Sequence, residues 1–254
     1  MNSRWPERLW IVRHGESAGN VAREEATLAR LGRIAIDWRD VDVPLSPLGE
    51  KQAEALGHWF ADQPAHDRPE VVLTSPYIRA QETARLIRDA CGLAPGAPDF
   101  VVDERLREKE FGVLDRLTTY GIADLHPDQA EFRRILGKFY HRPPGGESWC
   151  DVILRLRSAL DTLSLHHAGR RVLIVSHQVV VLCLRYLLED LTEGEILAID
   201  KEANVANCGV TEYRFDPHRG PHGCLKLSRY NFTAPLEREG APVTSEPDKA
   251  VAAR

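Results

Sequence analysis

Four side chains stand out by type and setting. Arg13-His14-Gly15-Glu16-Ser17 and Ser176-His177-Gln178 each follow a short apolar, β-branched run, and Thr74-Ser75-Pro76-Tyr77-Ile78-Arg79 follows a third. Two histidines and two arginines delivered to one place would suit a phosphoryl group. Guanidinium forks match phosphate oxygens, and a helix N-terminus presents free N–H groups to an anion. An isolated Arg-His-Gly carries little specificity, so the elements that position these residues decide the reading.

Leu9 to Val12, Glu70 to Thr74 and Arg171 to Val175 read as buried strands, with a shorter one at Phe100 to Val102. Thr211 to Phe215 and Leu225 to Arg229 read as a hairpin with Asp216-Pro217 and Gly220-Pro221 in the turn region. Apolar periodicity predicts helices over Pro47 to Phe60, Ile78 to Ala90, Asp151 to Leu165 and Val179 to Leu188. Ser46-Pro47 reads as an N-cap followed by proline at the first helical position, and Ser75-Pro76 repeats that signal. The alternation predicts an α/β fold, a three-layer α/β/α sandwich around a mostly parallel central sheet. Ligands of such sheets bind beyond the carboxyl ends of the strands, where His14, His177 and Arg79 all fall.

The 254 residues suffice for one large domain, expected over 1–233, with a helical insertion at about 115–141 and an extra helical stretch at 21–41. From Ala234 the chain is rich in Pro, Glu, Ala and Gly and reads as a disordered tail. A formal charge of -5 argues against nucleic acid as a partner. The five cysteines are scattered and contain no Cys-x-x-Cys, which favours a reducing compartment over a disulfide framework. With neither a signal-peptide core nor an apolar run long enough to span a bilayer, a soluble cytoplasmic protein is expected, with no membrane partner. His218-x-x-x-His222-x-Cys224, with Cys208 upstream, matches no standard zinc spacing, so no metal and no cofactor are expected.

Arg13-His14-Gly15-Glu16 resembles the signature of the histidine phosphatase superfamily, also called phosphoglycerate mutase-like. Asp42-x-Pro44-Leu45-Ser46-x-x-Gly49-x-x-Gln52-Ala53, Ser75-x-x-x-Arg79-Ala80-x-x-Thr83-Ala84, Leu106-x-Glu108-x-x-x-Gly112 and Ser176-His177 resemble its later segments, in order, over residues 9–215. The resemblance implies a phosphohistidine formed on His14, an attack for which neutral imidazole is competent. It implies phosphate binding by Arg13, Arg79 and His177, joined by Asn20, without a metal. It makes Glu108 the acid that protonates the leaving oxygen and then activates water; Glu110, two residues on, is a rival for that role. Burial or neighbouring carboxylate charge is expected to raise the pKa of the acid.

Residues 112–184 are most similar to the bisphosphatase domain of the fructose-6-phosphate 2-kinase/fructose-2,6-bisphosphatase. There the resemblance makes Tyr120, Arg134, Lys138 and Gln178 substrate contacts. Basic residues four apart share a helix face, so Arg134 and Lys138 are expected to clamp a distal anion together. Three departures argue against the bisphosphate itself. Trp149 replaces a tyrosine, Leu182 replaces a phosphate-binding arginine, and the stretch 21–41 is extra. A mutase-like Glu-Gly is also absent after Gly112, where Leu114-Asp115-Arg116 stands. The favoured reading is a metal-independent phosphomonoester hydrolase acting on a small phosphorylated metabolite. The alternatives are a phosphoglycerate mutase-type transferase, a fructose-2,6-bisphosphatase-like sugar phosphatase and a non-catalytic regulatory module.

Overall fold

The computed structural model describes residues 4–92, 99–220 and 222–245. Six strands, β1 (Arg8–Arg13), β2 (Val71–Thr74), β3 (Asp99–Val102), β4 (Arg171–Ser176), β5 (Val210–Asp216) and β6 (Cys224–Phe232), form one sheet in the order β3-β2-β4-β1-β5-β6. The first four are parallel, β5 runs antiparallel to β1, and β6 antiparallel to β5. Among the described residues nine α-helices surround it: α1 (Ala18–Leu28), α2 (Pro47–Ala61), α3 (Ile78–Ala90), α4 (Thr119–Leu125), α5 (Pro127–Tyr140), α6 (Trp149–His166), α7 (Gln178–Leu188), α8 (Glu193–Glu202) and α9 (Ala234–Arg238).

The pleat explains why the central strands are apolar at every position. Successive side chains point to opposite faces, and both faces are covered. Leu9, Ile11, Val172 and Ile174 pack with α6, α7 and α8 on one side. Trp10, Val12, Leu173 and Val175 pack with α2, α3 and α9 on the other. The three-layer sandwich expected from the sequence is present. Truncating Trp10, fully buried and edge-on to Phe60, would cost about 3–5 kcal/mol.

The order of strands makes the site. β1 and β4 are neighbours, yet β1 leads on to α2 on one face and β4 to α7 on the other. The connections diverge there and leave a crevice at the carboxyl edge. Backbone bonds lace that edge together: His14 N–H donates to Ser176 O at 2.9 Å, and Ser75 N–H to Val175 O at 3.1 Å.

Three expectations need correction. Residues 234–245 of the expected tail contain α9, bury Leu236 and Ala241 against α2, and tie Thr244 to Gln52 and Asn207, while 246–254 lie outside the described residues. Pro, Glu and Ala composition misled there because a five-residue helix needs only one apolar side. Ser75 does not cap α3, which begins at Ile78 after Tyr77. Its hydroxyl lies 2.8 Å from His177 Nε2 instead. The stretch 21–41, apart from a short 3-10 turn at Asp40–Asp42, is α-helical only as far as Leu28. Beyond it the chain runs as a strap beside residues 116–118, with Ile34 N–H on Arg116 O and Thr118 N–H on Gly32 O. Residues 115–141 do form helices, α4 and α5, outside the main layers. No helix among the described residues is long and apolar enough to cross a membrane.

Candidate active site

β1 delivers His14 into a tight loop whose shape depends on two glycines. A Cβ on Gly15 would meet Gly49 O at 2.5 Å, and one on Gly49 would meet Glu16 O at 1.9 Å. The loop therefore lies backbone on backbone against the first turn of α2. Gly15 N–H donates to Thr83 Oγ1 at 3.0 Å and Glu16 N–H to Gln52 Oε1 at 2.8 Å.

The imidazole of His14 has one tautomer open to it in this setting. Nδ1 lies 2.7 Å from Gly15 O, which can only accept, so Nδ1 carries the hydrogen. Nε2 then holds a lone pair and accepts from Arg79 Nε at 3.3 Å. Burial, then the charges of Arg79 and Arg13, hold the ring well below its ordinary pKa range. His14 is thus a neutral base with its free nitrogen beside a guanidinium.

His177 ends β4, fully buried, with its ring centroid 5.1 Å from that of His14. Burial and then Arg79 push its pKa well down too. Its Nδ1 has no hydrogen-bond partner and lies 3.8 Å from Glu108 Oε2. Glu108, itself buried, lines a cavity of about 70 Å³ together with His14, Arg13 and Arg79. Glu110 does not line it; its carboxylate accepts from the Tyr77 hydroxyl at 3.2 Å, on the exposed side of the loop. The rest of the wall includes Asn20 and Arg23 from α1, Ile34, Ile36 and Asp40 from the strap, and Phe111, Asp115 and Arg116. Among the described residues no three His, Cys, Asp or Glu side chains are grouped to hold a metal ion. A space of this size and charge fits a phosphoryl group.

Residues 9–223 match the family model of the histidine phosphatase superfamily, branch 1. The chain belongs to that superfamily. A Yersinia enterocolitica protein named as a probable phosphoglycerate mutase, GpmB, is 35% identical over 216 residues, 84% of this chain and 86% of that one. YhfR of Bacillus stearothermophilus superposes with a TM-score of 0.69 at 26% identity, covering 90% of this chain and 98% of its own. A mycobacterial glucosyl-3-phosphoglycerate phosphatase, solved with inorganic phosphate, shares the fold with a TM-score of 0.66 at 24% identity, covering 90% and 99%. These matches reach the superfamily; the bisphosphatase branch rests on the residues of 112–184 alone.

Within this member of the superfamily the expected substrate contacts divide. Asn20 lines the cavity, while its side chain also completes the capping box of α1 with Ser17. Gln178 is buried behind it and accepts from Arg13 Nη1 at 3.2 Å. Tyr120, Arg134 and Lys138 do not line it. Tyr120 sits largely exposed on α4. Arg134 pairs with Glu131, and Lys138 with Asp200 of α8 at 2.6 Å. The expected clamp fails because Gly137, at φ +76°, interrupts α5 between them, so four-residue spacing no longer means a shared face. Trp149 and Leu182 are buried core residues.

Several contributors carried no sequence signal of their own. Asp40 pairs with Arg79 at 3.0 Å. Asn207 Nδ2 donates to His14 O at 3.0 Å and accepts through Oδ1 from the Thr244 hydroxyl, which in turn accepts from Gln52. Ser75, Thr83 and Gln52 stand inside the family motifs, but their partners become visible only in the fold.

Proposed function

We propose that this chain is a metal-independent phosphomonoester hydrolase that passes the phosphoryl group of a small phosphorylated metabolite through His14 to water. The observation that carries the reading is the unprotonated Nε2 of His14, a residue that lines the same cavity as Glu108 and accepts a long 3.3 Å contact from Arg79. In the first step Nε2 attacks phosphorus, the ester P–O bond breaks, and the Glu108 carboxyl gives its proton to the leaving oxygen. In the second, Glu108 takes a proton from water, whose oxygen attacks phosphorus. The N–P bond breaks and inorganic phosphate leaves. Arg13 and Arg79 offset the charge spread over the transferring oxygens, which is most of what phosphoryl transfer asks of a protein. Asn20 is proposed to join them, and the protein to act in the cytoplasm.

A mutase is the second reading, favoured by the name of the Yersinia relative. Against it stand Leu114-Asp115-Arg116 where a mutase-like Glu-Gly is expected. Arg116, although on the cavity wall, also donates from its guanidinium to the carbonyls of Ile36 and Trp38. The bisphosphatase reading is weakened by Arg134 and Lys138 lying off the cavity.

The test is hydrolysis of an aryl phosphate with EDTA present, wild type against His14→Ala. Phosphate release is expected from the wild type alone; equal rates would remove His14 as nucleophile. Conversion of 3-phosphoglycerate to 2-phosphoglycerate without phosphate release would favour the mutase.

A further inference from the structure

The strap that follows α1 brings one carboxylate into the phosphate pocket. Arg116 donates to Ile36 O and, at 2.6 Å, to Trp38 O, which sets the path of the chain into Asp40. There Arg79 Nη1 meets both the backbone oxygen of Asp40 at 2.6 Å and its carboxylate at 3.0 Å. The same guanidinium, through Nε, lies 3.3 Å from His14 Nε2. A phosphorus atom in line with that nitrogen must place its oxygens on Arg79. The carboxylate on Arg79 is therefore a neighbour of those oxygens, and like charges that close oppose one another.

Resting on the phosphoryl-transfer reading of this site, we infer that Asp40 is a specificity-determining residue, an internal anion that competes with the substrate phosphoryl group for Arg79 and selects against leaving groups carrying a second negative charge. The carboxylate is not needed to place Arg79. The backbone oxygen of Asp40 makes the shorter contact and survives any substitution. Arg79 also stacks over Tyr77 at 4.8 Å. With its side chain 36% exposed, Asp40 can swing toward solvent when phosphate arrives. Asp115 and Glu108 line the same cavity, so three carboxylates stand on its wall among Arg13, Arg23, Arg79 and Arg116. Burial and then the charge of Asp40 push the Asp115 carboxyl up, while the charges of Arg116 and Arg23 pull it down. Arg116 lies 3.8 Å from Asp115, and its guanidinium holds the strap. A neutral hydroxylated leaving group adds no charge here; a carboxylate or second phosphate does.

The test uses the full chain and its Asp40→Asn and Asp40→Ser variants, with melting temperatures as the folding control. Calorimetric titration with inorganic phosphate should show both variants binding about 2- to 10-fold tighter than wild type, the scale of a partly exposed charge contact. Glycerol 3-phosphate and 3-phosphoglycerate, which differ by a hydroxymethyl against a carboxylate, should give kcat/KM values favouring the first in wild type. That preference should narrow in Asp40→Asn. Unchanged or weaker phosphate binding in both variants would make the carboxylate a support for Arg79 and overturn the inference, as would an unaltered ratio. If no ester is turned over at all, the hydrolase reading fails, while the phosphate titration still decides the role of Asp40.

Discussion

His14 donates from Nδ1 to the carbonyl of Gly15 across 2.7 Å, its own neighbour in the chain. That single bond leaves the lone pair on Nε2, the nitrogen that attacks in the proposed mechanism. Quenching the enzyme in alkali during turnover should therefore trap an acid-labile phosphohistidine substituted at Nε2. A species substituted at Nδ1, identified by its phosphorus and nitrogen chemical shifts, would contradict the tautomer.

Of the two glutamates, Glu108 stands on the cavity wall, whereas Glu110 is turned to Tyr77. Glu108→Gln should lower kcat by about 10²–10⁴ for an alkyl phosphate, the usual range for a lost acid–base group. The loss should be smaller with a nitrophenyl ester, whose leaving oxygen needs little protonation. Equal losses with both esters would make Glu108 structural, and a larger effect of Glu110→Gln would reassign the acid.

The buried imidazoles tie stability to pH. His14 and His177 are held neutral chiefly by burial and then by Arg79, while in the unfolded chain each titrates near about 6.5. Below that value the unfolded chain binds more protons than the native one. Stability is thus fully present above about pH 6.5 and falls as pH drops, by up to about 1.4 kcal/mol per pH unit for each ring. Urea unfolding at pH 7.5, 6 and 5 should show a shallower decline for His177→Gln than for wild type. Parallel declines would mean that this ring charges freely in the native state.

Thr244 links the end of the described chain to the catalytic loop through Gln52 and Asn207. Removing residues 242–254 strips that hydroxyl from both amides, and partly buried polar groups left without partners cost about 1–3 kcal/mol. The truncated protein should melt several degrees lower, at about 2–4 °C per kcal/mol, with reduced kcat and little change in phosphate affinity. Wild-type kinetics in the truncated chain would show the brace to be dispensable.

The residues that read most plainly in the sequence were those whose chemistry and element coincide. His14, His177 and Arg79 each stand within a few positions of a fully buried apolar strand, so the strand that makes the core also places the side chain. Arg134 and Lys138 misled because a helix face was read through Gly137, whose positive φ no residue spacing reveals. Asp40 is separated from Arg79 by 39 positions and was visible only as part of an extra segment; its role depends on the path of the strap, which Arg116 sets by binding backbone oxygens that every residue has. The ordering of residues 234–245 was hidden for a similar reason. Its anchors are one leucine, one alanine and a threonine hydroxyl, too few to alter a composition rich in Pro and Glu.

The position of Thr244 has a temporal side. A ribosome builds the chain from its amino end, so all six strands, both histidines, both arginines and Glu108 have been polymerised before that hydroxyl exists. A nascent chain halted just short of it holds the full chemical inventory around a His14 carbonyl whose amide partner, Asn207, still lacks its own support. The loop that carries His14 is in this way braced, in time as well as in space, by a segment made well after it.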